Sequence, residues 1–126
     1  MTLRCVIVDD NPAVLRAASD LLEREGLAVV GVATTSEEAL FLMRDLRPDV
    51  LLVDIDLGPE SGLDLARRLE QSPDTAPART ILISTHDEAD FADLIAASPA
   101  IGFLSKADLS ATAIRELLTP ERGERS

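Results

Sequence analysis

Short apolar runs alternate five times with amphipathic helical stripes along this chain, and that rhythm restricts the fold more than any other feature of the sequence. The runs are Leu3 to Asp9, Ala28 to Val32, Val50 to Val53, Thr80 to Ile83 and Ile101 to Leu104. All have strand length, and Val50 to Val53 is apolar without a break, as a central strand covered on both faces must be. After the first run, Asn11 can cap a helix and Pro12 can open it, with Val14, Leu15, Ala18, Leu21 and Leu22 on one face and Gly26 as the stop. After the second, Thr35 and Glu38 form a capping-box pattern ahead of Ala39, Leu40, Met43 and Leu46, and Pro48 closes the segment. Further helices are expected at about Leu63 to Leu69, Glu88 to Ala97 and Asp108 to Leu118, with DLGPESG read as a loop and QSPDTAPAR as turn-rich. The expected fold is α/β, a doubly wound (βα)5 unit around a five-stranded parallel sheet.

A length of 126 residues accommodates a single core. Residues 1–119 are expected to form the domain and 120–126 a polar tail with nothing to bury. There are 23 Asp and Glu against 12 Lys and Arg, a net charge of −11 that repels phosphate backbones and anionic membrane surfaces. Nucleic-acid binding by this chain alone is not expected. The absence of Trp and Tyr also removes aromatic platforms for stacking on bases. No apolar stretch reaches the roughly 18 residues of a membrane span and no cleavage-site pattern follows the N-terminus, so a cytoplasmic protein is expected. The single cysteine, Cys5, lies in the first apolar run and reads as a small buried hydrophobe.

In an open parallel sheet, ligands bind beyond the carboxyl ends of the strands, so the residues that close each run carry the chemistry. The first run closes in Asp9 and Asp10, the third in Asp54 and the fourth in Ser84, while the fifth is followed by Ser105 and Lys106. The second contributes none. Two carboxylates about 5 Å apart at an effective dielectric near 20 repel by roughly 3 kcal/mol, so a cation belongs among them. Oxygen ligands suit a hard ion such as Mg²⁺, with Mn²⁺ an alternative, and the lone His86 and Cys5 argue against zinc or copper. Mg²⁺ held by a few acids commonly meets a phosphate. Lys106 and Ser84 then supply partners for phosphoryl oxygens, and Asp54, at the end of the most central strand, is the best candidate nucleophile, forming an acyl phosphate. Lys106 is the only lysine beside eleven arginines, as if a compact ammonium were required there.

These residues resemble the receiver domain of two-component response regulators. The resemblance spans residues 3 to about 118 and rests on VIVDDNP (Val6 to Pro12), LLVDIDL (Leu51 to Leu57), ILIS (Ile81 to Ser84) and GFLSKAD (Gly102 to Asp108). It implies a flavodoxin-like sheet of order 2-1-3-4-5. It also implies a signalling module, not a conventional enzyme, although one that assists its own phosphorylation and dephosphorylation. Asp54 would accept a phosphoryl group from a histidine kinase or phosphotransfer protein. Asp10 and Asp54 would ligate Mg²⁺, Asp9 largely through water and Asp56 through its main-chain carbonyl. Ser84 and Phe103 would form the switch, read out by a downstream protein or a phosphorylation-dependent homodimer on the face made by the fourth helix, fifth strand and fifth helix. His86 would lie beside the site, with a solvated loop histidine as the plain alternative.

The sequence departs from the family where Ala107 replaces the usual proline after the lysine, and where Leu57-Gly58 replaces a Met-Pro pair, with Pro59 one place later. That second change is expected to loosen the loop beside the metal. The chain ends eight residues after Leu118, which would leave output to protein contact or phosphoryl relay. Two other readings are open at this level. A phosphohydrolase of the haloacid dehalogenase type also carries Asp-x-Asp, here Asp54-Ile55-Asp56, but there that strand comes first. A degenerate receiver would bind partners without phosphorylation, against the complete set of acids, hydroxyl and lysine.

Overall fold

Alternation at period two divides each strand between two apolar layers. Val6, Val8, Leu51, Val53 and Leu82 enter one layer, and Cys5, Ile7, Val50, Leu52, Ile81 and Ile83 enter the other. The computed structural model describes residues 2–72, 79–85 and 91–118. In it, β1 (Arg4–Val8), β2 (Ala28–Ala33), β3 (Val50–Asp54), β4 (Arg79–Ser84) and β5 (Gly102–Ser105) form one sheet. The strands are parallel and ordered β2-β1-β3-β4-β5, as the resemblance implied. Every residue of β3 is buried, consistent with its central place and unbroken apolar sequence.

Helices cover both faces, as a doubly wound fold requires. On one side α1 (Pro12–Arg24) and α5 (Ala111–Leu117) bury Leu15, Ala18, Leu22, Ala111 and Ile114. On the other, α2 (Ser36–Leu46) and α3 (Gly62–Gln71) bury Ala39, Met43, Leu65 and Leu69, and α4 (Ala92–Ala96) adds Ile95. Complete burial of side chains such as Ile7, Leu52 and Ile83 contributes about 1.5–3 kcal/mol each.

The helix starts follow local chemistry. Asn11 caps α1 by accepting the Ala13 N–H at 2.9 Å, and Pro12 occupies the first turn, where its missing N–H costs nothing. Gly26 stands just past the helix with φ of 100°, the left-handed stop that glycine adopts without strain. Thr35 caps α2 through the Glu38 N–H at 3.2 Å. Glu38 returns chiefly to Thr34, whose N–H it accepts at 2.8 Å, so the main reciprocal bond of the capping box falls one residue before the cap.

Tertiary contacts move several boundaries. β5 begins at Gly102, not Ile101, because the Ile101 N–H is taken by the Thr80 carbonyl at 2.8 Å as the chain enters the sheet. A 3-10 turn covers Lys106–Asp108, and α5 starts only after Ser110, whose hydroxyl accepts the Ala113 N–H at 3.0 Å. The Ala111 N–H is taken by the Glu25 carboxylate at 2.7 Å, which anchors the late start to α1. DLGPESG is not a plain loop: Asp56–Leu57 and Glu60–Ser61 pair as a small antiparallel ribbon, with Asp56 opposite Ser61 and Leu57 opposite Glu60. Most of QSPDTAPAR, the first residues of the expected fourth helix, His86 and the polar tail 120–126 lie outside the described residues.

Candidate functional site

Strand register brings the chemistry to one rim. Asp54 is the last residue of β3 and pairs with Ile83, which sets Ser84 one step further along β4. Ser84 in turn pairs with Ser105, so that Lys106 follows at the end of β5. At the end of β1, Asp9 donates its N–H to the Ala33 carbonyl at 3.0 Å and turns its carboxylate toward the same rim.

The acids are held by the backbone around them. Asp9 is fully buried, and its Oδ1 accepts the Asn11 N–H at 2.9 Å. Asp54 Oδ1 accepts the Asp56 N–H at 3.1 Å. Carboxylate oxygens of Asp9, Asp10 and Asp54 lie within 4.8 Å of one another, with Asp10 exposed toward solvent. Lys106 bridges the two buried members: its Nζ is 2.6 Å from Asp9 Oδ2 and 3.1 Å from Asp54 Oδ2.

The electrostatics follow from burial. Desolvation is the largest influence on Asp54 and raises its pKa; the Asp56 N–H and Lys106 pull it down without cancelling the rise. Burial alone would lower the pKa of Lys106, but hydrogen bonding to and charge attraction from Asp9 and Asp54 outweigh it, and the value stands above that of an ordinary lysine. One lysine faces three acids, so negative charge remains in excess.

A hard divalent cation fits this arrangement. The donors are carboxylate oxygens, and Asp9 Oδ2 is buried without a well-angled hydrogen bond among the described residues, although Lys106 balances its charge at 2.6 Å. Asp9, Asp10 and Asp54 could hold such an ion, with the main chain of Asp56 beside them. Ser84 is buried at the end of β4, and Phe103 packs half-buried against the α2–α3–α4 layer.

The domain family is decided by the match of residues 5–118 to the response regulator receiver domain. This chain belongs to that family. The receiver is 34% identical over 103 residues to a putative transcriptional regulator of Pseudomonas aeruginosa, covering 82% of this chain and 49% of the relative. It is 30% identical over 125 residues to the response regulator GacA of the same species, covering 95% of this chain and 57% of GacA. The chain thus spans about half the length of the curated relatives it matches. Among solved structures, a two-component response regulator of the LuxR family from Aurantimonas sp. SI85-9A1 superposes with a TM-score of 0.84 at 30% identity, covering 95% of this receiver and 87% of that chain.

Sequence reasoning identified the acids, the hydroxyl and the lysine that the receiver brings together, but missed the ribbon. Gly58 has φ of 67°, at the first central position of a two-residue hairpin turn, where glycine is favoured. An added Cβ there would stand 3.2 Å from Asp10 Oδ2, so the turn abuts the candidate metal site. Glu60 reaches across to α2, where its Oε1 accepts the Ser36 N–H at 2.8 Å. The Gly-Pro pair was a turn signal; its pairing partner and its reach to α2 had no local signature.

Proposed function

We propose that this receiver domain is a phosphorylation-dependent signalling module in which Asp54 takes a phosphoryl group from a histidine kinase or phosphotransfer protein. The observation that carries the reading is the Lys106 ammonium lying between Asp9 and Asp54 at the rim where Asp10 and Ser84 also converge. A carboxylate oxygen of Asp54 attacks phosphorus, the P–O bond forms, and the P–N bond to the donor histidine breaks. The nitrogen leaves with its electron pair.

Mg²⁺, or Mn²⁺ in its place, held by Asp9, Asp10, Asp54 and the main-chain carbonyl of Asp56, would neutralise phosphoryl charge as it develops. Asp9 holds its orientation through the Asn11 N–H and would act on the cation chiefly through water. The Asp56 N–H fixes one oxygen of Asp54. Lys106 exchanges its contact with Asp54 for a phosphoryl oxygen, and the Ser84 hydroxyl donates to another. Ser84 moves toward the phosphoryl group and Phe103 repacks behind it. Phe103 has no hydroxyl, so the change is read through packing alone on the α4–β5–α5 face, by a downstream protein or a second receiver. With a net charge of −11, the contacts proposed for this chain are with protein, not nucleic acid or membrane.

Incubation with acetyl phosphate and Mg²⁺, followed by intact-protein mass measurement, tests the reading. One added phosphoryl group is expected on the wild type and none on Asp54→Asn. Equal labelling of both would overturn the assignment of Asp54, and steady turnover of a phosphate ester would favour the phosphohydrolase alternative.

A further inference from the structure

We infer that Glu60 is a positioning residue for the metal site, acting through the ribbon turn on Asp10. The inference rests on the metal reading proposed above and concerns residues outside the acids, hydroxyl and lysine. Its basis is a run of contacts from the acidic turn through α2 to the ribbon, whose turn comes up beside Asp10. The Asp9 N–H binds the Ala33 carbonyl at 3.0 Å and so ties the acidic turn to the end of β2. Three residues later α2 begins, and the N–H of its first residue, Ser36, is accepted by Glu60 at 2.8 Å. Glu60 pairs with Leu57, which is fully buried in the apolar layer, and the turn between them carries Gly58. An added Cβ at Gly58 would stand 3.2 Å from Asp10 Oδ2, so the turn lies against the carboxylate of the neighbour of Asp9.

Each link has a physical reason. The first N–H groups of a helix have no acceptor inside it, so Ser36 needs a partner, and a carboxylate at a helix N-terminus is favoured by the helix dipole as well. A two-residue ribbon held by one residue pair at each end is not stable by itself. Buried Leu57 and the Glu60 contact anchor it. Asp10, unlike Asp9 and Asp54, is exposed and has no Lys106 contact. The wall formed by the Gly58 turn therefore limits which orientations its carboxylate can take. Groups that orient metal ligands from outside the coordination shell typically change affinity by about 10-fold or more when removed.

The experiment measures Mg²⁺ dissociation constants by isothermal titration calorimetry on the unphosphorylated full chain, with thermal melts in the absence of Mg²⁺ alongside. Glu60→Ala is expected to weaken binding on the order of 10-fold, while Glu60→Gln, whose amide oxygen still accepts the Ser36 N–H, stays within about two-fold of wild type. Because both variants remove one negative charge, their difference reports the hydrogen bond and not the field. Ser36→Pro removes the donor at the one helical position where proline is tolerated, and should reproduce Glu60→Ala with Glu60 intact. This second route keeps the test decisive if Glu60→Ala fails to fold. Wild-type affinity in Glu60→Ala or Ser36→Pro, while Asp10→Ala loses binding, overturns the positioning role and leaves the metal reading standing. Equally weak binding by Glu60→Gln and Glu60→Ala also overturns it. Equal Mg²⁺ binding by wild type and Asp10→Ala overturns the metal reading itself, and this inference with it.

Discussion

Lys106 Nζ stands 2.6 Å from Asp9 Oδ2, and Asp9 is fully buried. Removing one partner of such a pair leaves the other charge uncompensated. Lys106→Met should therefore lower unfolding free energy by about 3 kcal/mol in chemical denaturation, and adding Asp9→Asn should recover part of that loss. If the two substitutions are additive, the pair is not coupled. Lys106→Arg should also fall short of wild type, since a planar fork cannot place one point charge against both Asp9 and Asp54.

Excess acidity at the rim gives a direct test of cation binding. At a concentration ten times its dissociation constant, Mg²⁺ should stabilise the wild type by about 1.4 kcal/mol, read as a rise in melting temperature. Asp10→Ala should show little of this rise. An equal rise in both would place the ion elsewhere.

Asp54 has a raised pKa because burial disfavours its ionised form. For an acid shifted upward, the associated stability is present in full below the unfolded-state value, near 3.8, and is lost as pH rises through the folded value. At neutral pH the ionised carboxylate is thus a cost to the fold. Asp54→Asn should melt at higher temperature than wild type at pH 7 without Mg²⁺, and the difference should shrink as pH falls through the folded value toward about 4. A constant difference across that range would remove ionisation as its cause.

Gly62 opens α3 against the end of β3. A Cβ at this position would collide with the Asp54 carbonyl oxygen, while the Gly62 N–H binds the Ile55 carbonyl at 2.8 Å. Gly62→Ala must push the helix away from the strand that carries Asp54. The expected cost is about 2–3 kcal/mol in denaturant unfolding, with slower labelling of Asp54 by acetyl phosphate. Wild-type stability in this variant would show that α3 can shift freely.

Cys5 has no exposed surface, and burial raises its thiol pKa from 9.0 to about 12. In the native state it should resist a disulfide reagent at pH 8 and react only as fast as the protein opens, which makes it a reporter of unfolding. Because the folded value is raised, the linked stability holds below pH 9 and is lost as pH rises from 9 toward 12. Cys5→Ala should lose less stability than wild type across that window. Rapid native-state labelling would contradict its burial.

Features that rest on residues adjacent in the chain were readable before folding is considered. Strand and helix alternation, the Asn11 and Thr35 caps, the Gly26 stop and an acid at the end of β1 and β3 are all encoded within a few residues, because caps and side-chain alternation act over that distance. The ordered set Asp9, Asp10, Asp54, Ser84 and Lys106 was legible for the same reason, since each closes or follows a readable strand. How they meet depends on contacts between distant parts of the chain. Lys106 reaches Asp54 across 52 residues of chain through the β3–β4–β5 register. Glu25 sets the late start of α5 from 86 residues away, and Glu60 binds α2 from 24. Such contacts depend on which strands are neighbours and on where each crossover places its helix. The Asp56–Ser61 ribbon was unreadable for that reason: its two-residue strands are too short to show a period, and what holds them is the buried Leu57 and the hydrogen bond from the Ser36 N–H at the start of α2 to Glu60.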